Sequence, residues 1–287
     1  LIKAAMNKAL ILITTVLSFI NISLIGQEEQ GDQKAIIHID LFHVLENDKA
    51  AYESGEMNIF KPYHQEKIKD GQMFGWALYK IAYPLGTDIN LIKENTSKQN
   101  FNYLTLNFRS TGEAENKRSN EQQWKAAHPN LEQAQISKAV ESFVKLRKQI
   151  GGYDWTPLGV VGSSTVGKYA IFNNSKLNTD VDKYYKSYSS YFKPVIEYLI
   201  NNNESNLKAH FAGYINNKDG AAILNGFSID SIDNLLDMNK EDWGKIMFAA
   251  HDNLTKEEVM SANKEFQSQL KLKHNILAVL VDSHFGE

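Results

Sequence analysis

The chain of 287 residues contains no cysteine. That single absence excludes disulfide staples, thiolate nucleophiles, Cys-ligated zinc and iron–sulfur clusters. Stability must therefore come from burial of apolar surface, and the chain is long enough to supply it. The sequence also lacks any basic stripe. Formal net charge is −3 with Lys and Glu interspersed, which argues against a nucleic-acid partner or a polybasic membrane patch. No Ser-His-Asp nucleophile elbow, Rossmann glycine fingerprint or paired-carboxylate motif occurs, so no residue is assigned a catalytic role and no cofactor or metal is expected.

What is present begins with "MNKALILITTVLSFINISLIGQEEQ" from Met6. One Lys, an apolar run from Ala9 to Ile25 and the small residue Gly26 describe a secretory signal peptide over residues 1–26. The run is short for a span and is interrupted by Asn21 and Ser23, so no membrane anchor is expected after cleavage. Residues 27–33 form a polar linker, and the expected location is periplasmic or secreted.

Two phrases recur downstream. "AAHPNL" at 126–131 returns as "AAHDNL" at 249–254, and Phe60-Lys61-Pro62 returns as Phe192-Lys193-Pro194. Tyr52 aligns with Tyr184 in the same frame. The offset is 132 at the proline motif and 123 at the histidine motif. The change falls where the connection at 83–100 is long and its counterpart at 216–220 is short, and loops absorb such differences cheaply. The chain thus reads as a duplication, with one repeat at 34–164 and the other at 165–287.

Alternation and branched residues predict strands at 34–45, 73–83, 101–108 and 155–162, with a helix at 49–69 that Pro62 should kink or split. A second helical region ends at Gly151. The other repeat reads the same way, so the expected fold class is α+β: two tandem ferredoxin-like (βαββαβ) repeats with antiparallel sheets. In the repeated phrase, His128 and His251 should close a helix by donating to unpaired carbonyls, and Asn130 and Asn253 should cap the next one. "GVVGSSTVGKY" mimics a phosphate-binding loop, but Tyr169 stands where a Ser or Thr is required, and strand rather than helix should follow Lys168.

The stretch from Phe60 to Phe108 resembles a group of exported bacterial proteins related to the dimeric α/β-barrel superfamily, which includes the antibiotic-biosynthesis-type monooxygenases. Lys61-Pro62, His64, Gly71, Gly75-Trp76, Tyr79 and Asn102-Tyr103 carry the resemblance. It is clear over 34–108 and faint in the second repeat, where Val195-Ile196 replaces Tyr63-His64 and His210 falls near the Trp76 position. The resemblance implies two sheets facing each other as a barrel and a pocket between sheet and helices. The barrel could close within one chain or through the sheets of a homo-oligomer; the sequence leaves both open.

Candidate pocket residues are His64, Trp76, Tyr103 and Asn102, with His38 and Asp40 on one face of the first strand and His43 on the other. The leading reading is a non-catalytic protein of the cell envelope that binds a small apolar ligand or a partner. The alternative is a cofactor-free monooxygenase-like enzyme acting on a small apolar or aromatic substrate. A site joining His64, Trp76 and Tyr103 would favour the enzyme.

Overall fold

The computed structural model describes residues 35–85, 101–110, 118–162, 166–202, 206–217, 220–232 and 240–286. The expected signal segment at 1–26, the expected linker at 27–33 and residues 86–100 of the long connection lie outside the described residues.

The first half runs β1 (Ala35–Val44), α1 (Lys49–Gly55), a π-turn (Glu56–Phe60), α2 (Lys61–Lys69), β2 (Met73–Leu85), β3 (Tyr103–Ser110), α3 (Asn120–Ala127), α4 (Gln133–Val144) and β4 (Arg147–Gly162). The second half repeats the order with β5 (Tyr169–Leu177), α5 (Val181–Ser187), a π-turn (Tyr188–Phe192), α6 (Lys193–Asn201), β6 (Leu207–Asn217), β7 (Gly220–Ile229), α7 (Lys240–Ala250), α8 (Lys256–Ser268) and β8 (Leu270–Phe285). The residues after Lys168 form strand, so the phosphate-loop mimic has no helix behind it.

The eight strands of the described residues form one closed antiparallel barrel in the order β1-β3-β2-β8-β5-β7-β6-β4. Of the two closures the sequence left open, the structure has the one within a single chain: β2 pairs with β8 and β4 with β6, so the sheets of the two repeats join in one barrel. Two strand boundaries differ from the expected ones. β4 starts at Arg147 rather than 155, running through Gly151 and Gly152, and β8 spans Leu270–Phe285 rather than 275–282. The ring of Tyr153 lies against Gly151, where a Cβ would sit 2.9 Å from it, and this cover lets glycine persist inside a strand.

Inward-pointing residues of both halves fill the barrel. Tyr79 meets Phe172 edge-on at 5.4 Å and Phe108 meets Phe211 at 5.9 Å, each pair joining the halves and worth about 0.5–1.5 kcal/mol beyond area burial. Gly226 is required here: a Cβ would stand 2.1 Å from the Phe211 ring. The helices cover the outer face, over one apolar cluster in each half.

Pro62 and Pro194 lack the N–H that would continue an α-helix, and each follows a π-turn that passes the chain into the next helix without a break. This is where the repeated phrase acts. His128 Nε2 bonds the carbonyl of Ile59 at 3.0 Å, and His251 Nε2 bonds that of Tyr191 at 2.9 Å. Both carbonyls lie in a π-turn. The expectation that each histidine serves its own helix is therefore corrected: it satisfies the irregular turn of the first helix across the interface. Asn130 and Asn253 do not cap either. Glu132 and Thr255 do so, in capping boxes with Gln135 and Glu258, because only from those positions can the side chain reach the N3 amide.

Candidate functional site

Alternation along β1 sends Ile37 and Ile39 into the barrel and His38 and Asp40 out toward the helices. Register then builds two rows on the outer face. One runs Asp154, His38, Asn107, Trp76, His284; its neighbour runs Gly152, Asp40, Thr105, Leu78, Asp282. Thr105 and Asn107 are buried polar residues that sequence reasoning missed, because their face depends on cross-strand register. Helix α2 lies over these rows. Lys61 pins its start to Asp282 of β8 with contacts of 2.8 and 2.7 Å, so a first-half helix is tied to a second-half strand.

His64, on α2, stacks on Trp76 with centroids 5.4 Å apart and planes 21° from parallel. Trp76 is fully buried, and neither its Nε1 nor the buried His64 Nδ1 has a hydrogen-bond partner. Burial, helped by the nearby Lys67, Arg109 and Arg147 charges, pushes the His64 imidazole down to about 3, so it is neutral at ordinary pH. The pair therefore places two unpartnered ring nitrogens beside an aromatic stack.

His38 is occupied differently. Its Nε2 lies 3.1 Å from Asp40 and its Nδ1 2.5 Å from Asp154, while Gln149 donates to Asp40 at 2.6 Å. Asp40 foremost, then Asp154, hold the imidazole above its usual range against the effect of burial. His38 sits between the carboxylates, and among the described residues no group of three His, Asp or Glu side chains could hold a metal ion.

The structure thus gathers His64, Trp76, His38 and Asp40 on the outer face; Tyr103 shares that face and the apolar cluster of Trp76, two rows further along, while Asn102 stands apart. Tyr103 packs edge-on against Tyr52 at 4.8 Å and donates to Glu53 at 2.5 Å, and burial raises its phenol. Asn102 is structural: its side-chain amide brackets Val44, accepting from the N–H at 2.9 Å and donating to the carbonyl at 2.7 Å.

Beside this face lies an ion pair that no local pattern announced. Arg147, at the start of β4, donates to Glu56 of the π-turn at 2.7 Å, and its guanidinium stacks over Phe42 at 4.1 Å and Phe143 at 4.8 Å. Burial pushes the Glu56 carboxyl up to about 7, with Arg147 pulling the other way. In the repeat frame, Tyr188 stands at the Glu56 position, Leu270 at Arg147 and Ile196 at His64. Each is an uncharged replacement, so the charged pair and the His64 stack belong to the first half alone.

No family description matches this chain, and no curated protein does. Among solved structures it is similar to a candidate monooxygenase from Lactobacillus acidophilus, 14% identical over 88% of this chain and 96% of that one, with a TM-score of 0.47. A candidate monooxygenase from Fusobacterium nucleatum is 9% identical over 89% and 96%, with a TM-score of 0.48. An anthrone oxidase-like protein is 11% identical over 90% and 95%, with a TM-score of 0.41. At these identities and TM-scores the likenesses assign this chain neither a family nor a chemistry.

Proposed function

We propose that this chain is an exported small-ligand-binding protein, built as two fused ferredoxin-like units of which the first holds the ligand between α2 and the outer face of β1, β2 and β3. One observation carries the reading: His64 and Trp76 are stacked, and both leave a buried ring nitrogen unpartnered. Buried polar atoms without partners are few in folded proteins, and a pair at one spot on an aromatic surface suits a small aromatic or largely apolar molecule with one polar edge. Tyr103 lies on the same face but two rows from the pair, with its hydroxyl committed to Glu53, and this supports binding over catalysis. Export rests on the segment from Met6 to Gln27.

Native mass spectrometry of the intact protein tests it. The expected result is a monomer carrying a small molecule that is lost in His64→Ile, the residue type the second half uses there. A ligand-free mass for both proteins defeats the reading.

A second reading has one observation in its favour. A neutral imidazole in a dry aromatic setting can donate a hydrogen bond to the anion that a cofactor-free oxygenation of an apolar substrate passes through. Oxygen uptake with the recovered ligand, abolished in His64→Ile, would replace binding with turnover.

A further inference from the structure

The second half carries a row of side chains that neither the packing of a barrel nor the site above accounts for. Along one line of the outer face stand Asn275, Asn173, Asn225, Ala212 and Gly159, on β8, β5, β7, β6 and β4 in turn. Asparagine is disfavoured inside strands and in protein interiors, yet three are adjacent here. The side-chain oxygens of all three are buried, and none has a hydrogen-bond partner. They do not form an amide ladder with one another.

The row leads inward. Asn275 and Asn173 keep some exposure, whereas Asn225 is 6% exposed and its neighbour Ala212 is sealed. Asn225 is the polar neighbour of both Tyr184 and His210. Tyr184 is fully buried with an unpartnered hydroxyl, and His210, 1% exposed, has an unpartnered Nε2. Its Nδ1 lies 3.3 Å from the Tyr188 hydroxyl. Burial pushes the phenol of Tyr188 up and the His210 imidazole down to about 3, so both are neutral and the phenol keeps its proton. With Tyr188 donating to Nδ1, the ring proton sits on Nε2, beside the Asn225 amide but without a closed hydrogen bond to it. Ala212 and Gly159 add no bulk beyond Asn225, and the Tyr188 ring closes that end, 3.0 Å from where a Gly159 Cβ would be.

The inner end therefore presents two donors, Tyr184 O–H and His210 Nε2–H, beside a line of amide acceptors, with no charged group among them. A cation would face the imidazole N–H, and an anion would face the amide oxygens. We infer that the second half holds a separate binding site for an uncharged carboxamide-type group, whose carbonyl accepts from Tyr184 and His210 and whose N–H atoms donate to Asn225 and Asn173. The inference stands apart from the His64–Trp76 site.

Ligand-observed NMR and calorimetry on the intact protein test it, with acetamide and benzamide as probes and acetate and ammonium as charged controls. Saturable binding of the amides and none of the ions is expected. Tyr184→Phe removes one hydroxyl and should weaken the amides about 5–10-fold. Asn225→Leu should abolish their binding while leaving the ligand-free protein at least as heat-stable as the parent, since an unpaired buried amide is gone. No amide binding, equal binding of acetate or ammonium, or amide affinity unchanged in Tyr184→Phe would each overturn the inference.

Discussion

His128 reaches across 69 positions to bond the main-chain oxygen of Ile59 at 3.0 Å. The same bond recurs between His251 and Tyr191. An irregular turn is held in each half by one imidazole from the neighbouring helix, and the π-turn in turn precedes the helix that carries His64.

Removing that imidazole should be costly. His251→Ala leaves a carbonyl unpaired at a buried site and should lower unfolding free energy by about 1–3 kcal/mol, measured by urea denaturation. His128→Ala, at a half-buried site, should lose less stability. It should also weaken ligand binding at His64, because α2 loses the anchor of its entry turn.

The Glu56–Arg147 pair should be asymmetric under mutation. Arg147→Met strands a carboxylate among aromatic rings and should cost about 3–5 kcal/mol, whereas Glu56→Leu combined with Arg147→Met should restore much of it. The second half already uses an uncharged pair in these places. A double-mutant cycle read by chemical denaturation decides; a double variant no better than Arg147→Met alone would contradict the account.

Two groups pull stability in opposite directions with pH. The folded-state value of His210, about 3, is below its unfolded one of 6.5, so its stabilisation is intact above pH 6.5 and lost as pH falls from there toward 3. At pH 5 that loss is about 2 kcal/mol. Glu56, raised from 4.5 to about 7, does the reverse: its contribution falls as pH rises through that window. His210→Phe should therefore make the acid limb of a plot of melting temperature against pH shallower, with His64 keeping a like contribution, and Glu56→Gln should remove the decline above 6.5 and steepen the rise between 4.5 and 6.5.

Lys61 and Asp282 tie α2 to the other half at about a quarter exposure each. Asp282→Asn should cost roughly 1 kcal/mol or less in stability, with the loss smaller at high salt. Differential scanning calorimetry in low and high salt measures it.

Much of the fold was legible because its signals are local. Pro62 and Pro194 marked the irregular helices, and Phe-Lys-Pro together with the doubled histidine phrase gave the duplication. The strand at Gly151-Gly152 was not legible, since a glycine pair reads as a stop until a ring such as that of Tyr153 is known to cover it. For the site, alternation alone put His38 and Asp40 on one face. Asn107, Arg147 and the asparagine row were invisible because each owes its place to a strand or helix distant in sequence. Asn102 misled for the same reason, its partner Val44 being set by tertiary packing, and the bond of Tyr103 to Glu53 was hidden likewise.

The role of β8 reaches beyond the finished structure. It pairs with β2 on one side and β5 on the other, and it comes last of the eight in chain order. Until it is made, β2 and β5 each keep a bare edge, the kind of surface that recruits other chains. The seam it forms with β2 joins residues some 200 positions apart, a pairing of high contact order that closes slowly. During synthesis this strand therefore emerges after the other seven of the barrel, and the interval before β8 docks is when the chain is most exposed to aggregation.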